Sequence, residues 1–233
     1  MNNDAPSKNE LLSYLQHRLE RHFLTCTAAV GAVAAVAAPQ EADATIVFFN
    51  PADIQVPLDN LAGIYINMET GAFGTSAAAV PGWDVNIFNP NSYYLQTYTE
   101  GSGAGILGYT SGAYDYANRL AAGANIGPGG NFIFGGITTM SYAGTGGQWI
   151  GNASGFLGVS FTLAGGQTMF GWIGINVTNS VEATITSWAF ENNGGAIAAG
   201  AVPEPSTVAL SLLAAGAAGL GYWRRRKKSQ AAA

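Results

Sequence analysis

Catalysis and metal binding need nucleophiles, proton carriers or ligands held close together, and this chain of 233 residues supplies few of them. Its one cysteine, Cys26, and its two histidines, His17 and His22, all precede residue 27. From residue 45 to residue 205 neither type occurs. That stretch has no thiol nucleophile, no imidazole base, no disulfide and no ligand set of the ordinary zinc or copper kind. Carboxylates remain: Asp53, Asp59, Glu69, Asp84, Glu100, Asp115, Glu182, Glu191 and Glu204. Two carboxylates can hydrolyse a glycosidic bond when held about 5 Å or about 6.5–9.5 Å apart. No spacing among Glu69, Asp84, Glu100, Asp115 and Glu182 singles out such a pair, so no catalytic residue is assigned. Calcium is the cation that hard oxygen donors suit, with Asp53, Asp59, Asp84 or Asp115 and backbone carbonyls as its donors. No EF-hand spacing occurs and no ligand set follows from the sequence; no other cofactor is expected.

Recognition is the other chemistry on offer. Trp83, Tyr93, Tyr94, Tyr98, Tyr109, Tyr114 and Tyr116 stand among Asn, Gln and Asp. Aromatic rings with neutral hydrogen-bonding neighbours suit polysaccharide, and Trp83, Tyr93, Tyr94 and Tyr98 are the candidate sugar contacts. The plainer alternative is that strand aromatics simply alternate between core and surface. Nucleic acid is excluded as a partner: against its nine acids, the stretch 45–205 carries one base, Arg119, and no lysine, which repels phosphate backbones. Gly101-Ser102-Gly103-Ala104-Gly105 is no phosphate loop, because no helix follows and no lysine is at hand.

The elements that must position these residues are strands. Only 10% of the chain is charged and 32 residues are Gly, against about a quarter charged and about 7% Gly in an average soluble domain. The surface is therefore built from Ser, Thr, Asn and Gln. Leu157, Val159, Phe161 and Leu163 alternate with Gly158, Ser160 and Thr162; Val181, Ala183, Ile185 and Ala189 oppose Glu182, Thr184 and Thr186. Further apolar runs cover 46–49, 61–68, 83–88, 93–99, 132–134 and 168–177. Runs of this length between Gly, Asn and Pro clusters predict an all-β fold, an antiparallel β-sandwich or jelly-roll-like domain over residues 45–202. Gly165-Gly166-Gln167 reads as a tight hairpin, and Asn118 to Ala124 is the one candidate helical turn. Trp172 and Trp188 are expected in the core or in cross-strand packing.

Both ends of the chain carry addresses. Leu24 to Ala38 is an uncharged apolar run preceded by Arg18 and Arg21, too short to span a bilayer comfortably but suited to a signal peptide. Small residues Ala42 and Ala44 place a signal-peptidase cut before Thr45, so residues 1–44 form a signal peptide with an extended n-region. The expected partners there are the Sec translocon and signal peptidase. At the other end, Pro203-Glu204-Pro205-Ser206-Thr207 leads into the uncharged stretch Val208 to Trp223, then Arg224, Arg225, Arg226, Lys227 and Lys228. A helix over 208–223 is roughly 24 Å long, short for a span but helped by interfacial Tyr222 and Trp223. The basic cluster holds on the cytoplasmic side, which leaves the domain outside.

A proline-flanked motif, an apolar helix and a basic stop in that order resemble the PEP-CTERM sorting signal. The resemblance covers residues 203–228, with Ser229 to Ala233 as a short tail beyond it. It implies that Pro203, Glu204 and Pro205 are recognised by an exosortase, a membrane cysteine transpeptidase, and that the setting is exopolysaccharide or biofilm. Phe170-Gly171-Trp172-Ile173-Gly174-Ile175 and Ile185 to Glu191 resemble the final strands of many such exported proteins, which implies a shared β domain and no particular activity. The expected protein is anchored in the inner membrane with its domain outside the cytoplasm, then released to the cell surface or beyond. Three roles stand in order: a non-catalytic surface or matrix protein, a carbohydrate-binding module for exopolysaccharide, and a carboxylate-dependent glycoside hydrolase.

Overall fold

A computed structural model describes residues 45–100, 103–142 and 145–203. The expected signal helix and transmembrane helix lie outside these residues. Among the described residues sixteen strands form: β1 (Ile46–Phe49), β2 (Ile54–Gln55), β3 (Asn60–Ile66), β4 (Phe73–Gly74), β5 (Val85–Asn91), β6 (Tyr94–Thr99), β7 (Gly105–Ser111), β8 (Tyr114–Ala117), β9 (Asn125–Ile126), β10 (Phe132–Phe134), β11 (Gly136–Tyr142), β12 (Gly146–Gly147), β13 (Ala153–Thr162), β14 (Thr168–Thr178), β15 (Glu182–Glu191) and β16 (Ile197–Ala198). Fourteen of them make one sheet in the order β1-β15-β14-β13-β7-β8-β11-β6-β5-β3-β4, with β2 on β15, β10 on β7 and β12 on β11. Strands β9 and β16 make a separate ribbon. Pairing is antiparallel except where β8 runs parallel to β11 at Thr139 and Tyr116.

The expected pair of stacked sheets is thus a single sheet curled back on itself. Strand β7 is the joint. Its residues Gly105 to Leu107 pair with β10 and two of them with β13, whereas Gly108 to Ser111 pair with β8. Glycine at 108 permits the turn-over: a Cβ there would collide with the Tyr116 carbonyl. Inward faces of the two halves then enclose one core. Ile66, Ile87 and Leu95 come from β3, β5 and β6; Val159, Phe161, Ile173, Ile185 and Trp188 come from β13 to β15. Behind β14 and β15 a second core joins Phe170, Trp172 and Ala189 to Ile126 and Ile197 of the ribbon. Trp172 and Trp188 are 1% and 0% exposed, in the core as expected. Burying a tryptophan of about 150–250 Å² contributes about 4–6 kcal/mol, an upper figure set by the extended-chain reference.

The long hairpin of β13 and β14 turns at Gly165-Gly166 as the sequence indicates. Leu163 N donates to the Gln167 carbonyl at 2.9 Å, and Gly166 sits at φ 83°, where a side chain would be strained. In β15 the simple alternation fails. Ser187 pairs with Gly174 but Ile185 with Ile175, so Thr186 is an extra residue, and its hydroxyl donates to the Gly174 carbonyl. The bulge reverses the phase. Ala183 and Ile185 face the main core before it, Trp188 and Phe190 after it, and Ala189 turns to the second core. The helical turn expected at Asn118 to Ala124 is absent. Leu120 exchanges backbone hydrogen bonds with Phe156, and the chain then reverses in a turn where Ala124 N donates to the Ala121 carbonyl with Gly123 at φ 83°, a left-handed position foreign to a helix; Ala124 in turn accepts from Ala199. Among the described residues, one 3-10 turn occurs at Ala77–Ala79, capped by the Ser76 hydroxyl, which accepts from Ala79 N.

Candidate functional site

Period-two alternation in β6 turns Leu95, Thr97 and Thr99 inward and Tyr94, Gln96 and Tyr98 outward. In β8 Tyr114 and Tyr116 share the face opposite buried Ala117. In β11 a bulge decides what the face carries. Thr139 pairs with Gln96, yet Ser141 pairs with Leu95, so Met140 is the extra residue. Beyond it Ser141 is buried, its hydroxyl donating to the Ser180 carbonyl, and Tyr142 emerges beside Tyr94. Without the bulge, Ser141 would take the outward place.

The result is a row of tyrosines across four neighbouring strands. Ring centroids lie 5.4 Å apart for Tyr109 and Tyr116, 6.1 Å for Tyr116 and Tyr114, 6.2 Å for Tyr114 and Tyr142, and 4.7 Å for Tyr142 and Tyr94. Tyr114 is 46% exposed and Tyr142 36%. The Tyr94 phenol is held above its ordinary pKa of 10, by partial desolvation first and then by the charge and hydrogen bond of Tyr142 and the nearby Tyr114 and Tyr116. The hydroxyl therefore stays protonated. A second group adjoins on the same half: Trp83 meets Tyr65 edge-on at 4.9 Å and Tyr98 at 6.0 Å, over the strands where Tyr65 and Tyr98 both flank Asn86.

Of the candidate sugar contacts, Tyr94 and Tyr98 are on this outward face. Trp83 lies in the turn before β5 rather than in a strand, and Tyr93 lies in the β5–β6 turn, where its amide donates to Asn91. Tyr109, Tyr114 and Tyr116 join the row. Sequence reasoning missed Tyr65 and Tyr142. Tyr65 was legible, since Ile64 and Ile66 around it are core residues, but Tyr142 was not, because the bulge hides its phase.

The carboxylates are scattered. Asp115 accepts from the Thr110 hydroxyl at 2.6 Å and Glu191 caps a turn by accepting from the Asn193 and Gly195 amides. Glu69 is in electrostatic reach of Asp84. Burial is the main cause that pushes Asp84 up to about 6; the Met68 amide, donating to it at 2.7 Å, opposes this and Glu69 adds to it. Asp84 belongs to a stitched loop in which Asn67 donates to the Pro81 and Gly82 carbonyls and accepts from Thr70 N. Among the described residues, no three His, Cys, Asp or Glu side chains gather to hold a metal. A cleft of about 240 Å³ lies on the other half of the sheet, lined by Leu120, Ser154, Phe156 and Thr186, none of them titratable.

The described residues begin and end close to the two addresses. Thr45, where the signal-peptidase cut is expected, exchanges backbone and side-chain hydrogen bonds with Asn192, and β1 starts at the next residue. At the other end the Trp172 indole donates to the Ala201 carbonyl at 3.1 Å, and Val202 and Pro203 are exposed. Ala42, Ala44, Glu204, Pro205 and the Arg224, Arg225, Arg226, Lys227 and Lys228 stop lie outside the described residues. Among those described, no helix is long and apolar enough to cross a membrane. No curated protein and no solved structure matches the chain. The family model of the PEP-CTERM protein-sorting motif matches residues 201–227. The chain therefore carries a PEP-CTERM protein-sorting motif whose match begins at Ala201, the residue held by the Trp172 indole, the mark of an exported protein sorted to the surface by an exosortase.

Proposed function

We propose that this is a non-catalytic protein of the cell surface or extracellular matrix that binds exopolysaccharide through the tyrosine face of its β domain. Signal peptidase releases it before Thr45 after Sec export, the helix over 208–223 holds it in the inner membrane with Arg224 to Lys228 inside, and the exosortase acts near Pro203, Glu204 and Pro205. The observation that supports the binding role is the row Tyr109, Tyr116, Tyr114, Tyr142 and Tyr94 on one outward face, with uncharged Gln96 beside Tyr94 on β6. Exposed aromatics in a contiguous set mark interaction surfaces.

The test is retention of the mature protein in the host's own exopolysaccharide fraction. Replacing Tyr94 and Tyr142 by Ala should release it into the soluble fraction, while circular dichroism stays that of the parent because both rings lie outside the core. Undiminished retention of the double variant would remove this function. A carboxylate hydrolase is the weaker reading. Asp84 beside Glu69 has a raised pKa, as a general acid needs, but its carboxylate accepts from Met68 N and serves the loop.

A further inference from the structure

We infer that the tyrosine face takes an uncharged, hydroxyl-rich polysaccharide and rejects polyanionic ones; this narrows the carbohydrate-binding function proposed above and rests on it. The ring geometry sets the mode of contact. Tyr94 and Tyr142 are stacked with 24° between their planes, Tyr109 and Tyr116 with 22°, and Tyr114 and Tyr142 with 22°. Rings laid against one another spend their faces on each other. What they turn to a ligand is edges and phenolic hydroxyls, each able to donate one hydrogen bond and accept others. The row crosses β7, β8, β11 and β6, about 14 Å at about 4.8 Å per strand, long enough for several sugar hydroxyls at once. Tyr94 faces the ligand as a neutral phenol, since partial desolvation first and then its tyrosine neighbours hold it above its ordinary pKa.

Charge decides between polymers. Among the described residues Arg119 is the one cationic side chain, and its guanidinium donates to the Ser154 carbonyl of β13, in the other half of the sheet. The acid nearest the row in sequence is Asp115, on the same strand as Tyr114 and Tyr116 and bonded to Thr110. A polyuronate or sulfated chain would meet no cation there and would approach an acidic domain at long range. An uncharged chain meets only donors and acceptors that match its own.

Mature protein purified from its host, migrating through native gels that contain a polymer, reads this directly. Galactomannan and hydroxyethyl cellulose serve as neutral polymers, alginate and polygalacturonate as polyanions, each at low and high salt. A neutral polymer should retard the protein equally at both salts and the polyanions should not. The double variant Tyr94→Phe, Tyr142→Phe keeps the stacked rings and removes two hydroxyls, so its retardation should weaken roughly tenfold. Retardation by polyanions, alone or together with neutral polymers, overturns the inference and leaves the face a glycan site. Retardation by no polymer overturns both the inference and the binding function. A Phe double variant retarded like the parent overturns recognition through hydroxyls.

Discussion

Replacing Asp84 by Asn should stabilise the domain at neutral and mildly alkaline pH and leave it unchanged in acid. Asp84 titrates at about 6 in the fold against an ordinary 3.8, so the folded protein favours its protonated form. The group's stabilising contribution is therefore complete below about pH 3.8, fades as pH rises to about 6, and is gone above that. A shift of about two units corresponds to about 3 kcal/mol at most. The side chain is not fully enclosed, and water screens part of this, which leaves about 1–2 kcal/mol as the gain expected of Asp84→Asn at pH 8. An amide oxygen can still accept from Met68 N, so the loop stitched by Asn67 survives the change. For a domain of this size 1–2 kcal/mol moves the melting midpoint by roughly 2–8 °C. Urea unfolding of parent and variant at pH 4 and pH 8 isolates the effect, because other titrating groups cancel in the difference. The reasoning is refuted if the variant gains nothing at pH 8, or if calcium stabilises the parent and Asp84→Asn abolishes that gain, since ionised Asp84 would then be the favoured form.

The two buried indoles should respond differently to the same change. Trp188 Nε1 is buried without a hydrogen-bond partner among the described residues, whereas Trp172 Nε1 holds the Ala201 carbonyl. Trp188→Phe and Trp172→Phe should each lose about 1–3 kcal/mol of packing, but only Trp172→Phe should speed amide exchange at Ala199 and Ala201, next to the sorting motif. Equal exchange in both variants would show that the indole bond does not hold that end. At the tyrosine face, the Ala double variant should leave the exopolysaccharide fraction, and the Phe double variant should bind neutral polymer roughly tenfold more weakly.

Legibility in the sequence followed the regularity of the strands. Leu157, Val159 and Phe161 alternate without interruption, and β13 forms where the pattern puts it. The Gly165-Gly166 hairpin was equally plain, because few residues other than glycine accept that backbone. Strand β7 was not visible: Gly105 and Gly108 interrupt its apolar run, and they are there because Phe134 and the Tyr116 carbonyl come too close for a side chain. The two bulges defeat periodicity in a more instructive way. Each inserts a residue that only the partner strand reveals, so Ala189 changed cores at Thr186 and Tyr142 changed faces at Met140. Half of the tyrosine row's closest pair was thus hidden, although Tyr94 was singled out. The pKa of Asp84 was equally illegible, since it comes from burial within the fold and from Met68 and Glu69 brought close by it. The C-terminal address behaved in the opposite way. A sorting motif is read as linear sequence by its enzyme, and residues 203 to 228 present its parts in order along the chain, where the family model matches residues 201–227.

Intact mass of the protein recovered from outside the cell, with and without the host's exosortase, addresses export and sorting most directly. A first residue at Thr45, and a chain that has lost Arg224 to Lys228 only when the exosortase is present, is the predicted result. A cytoplasmic protein still running from Met1 to Ala233 would contradict it.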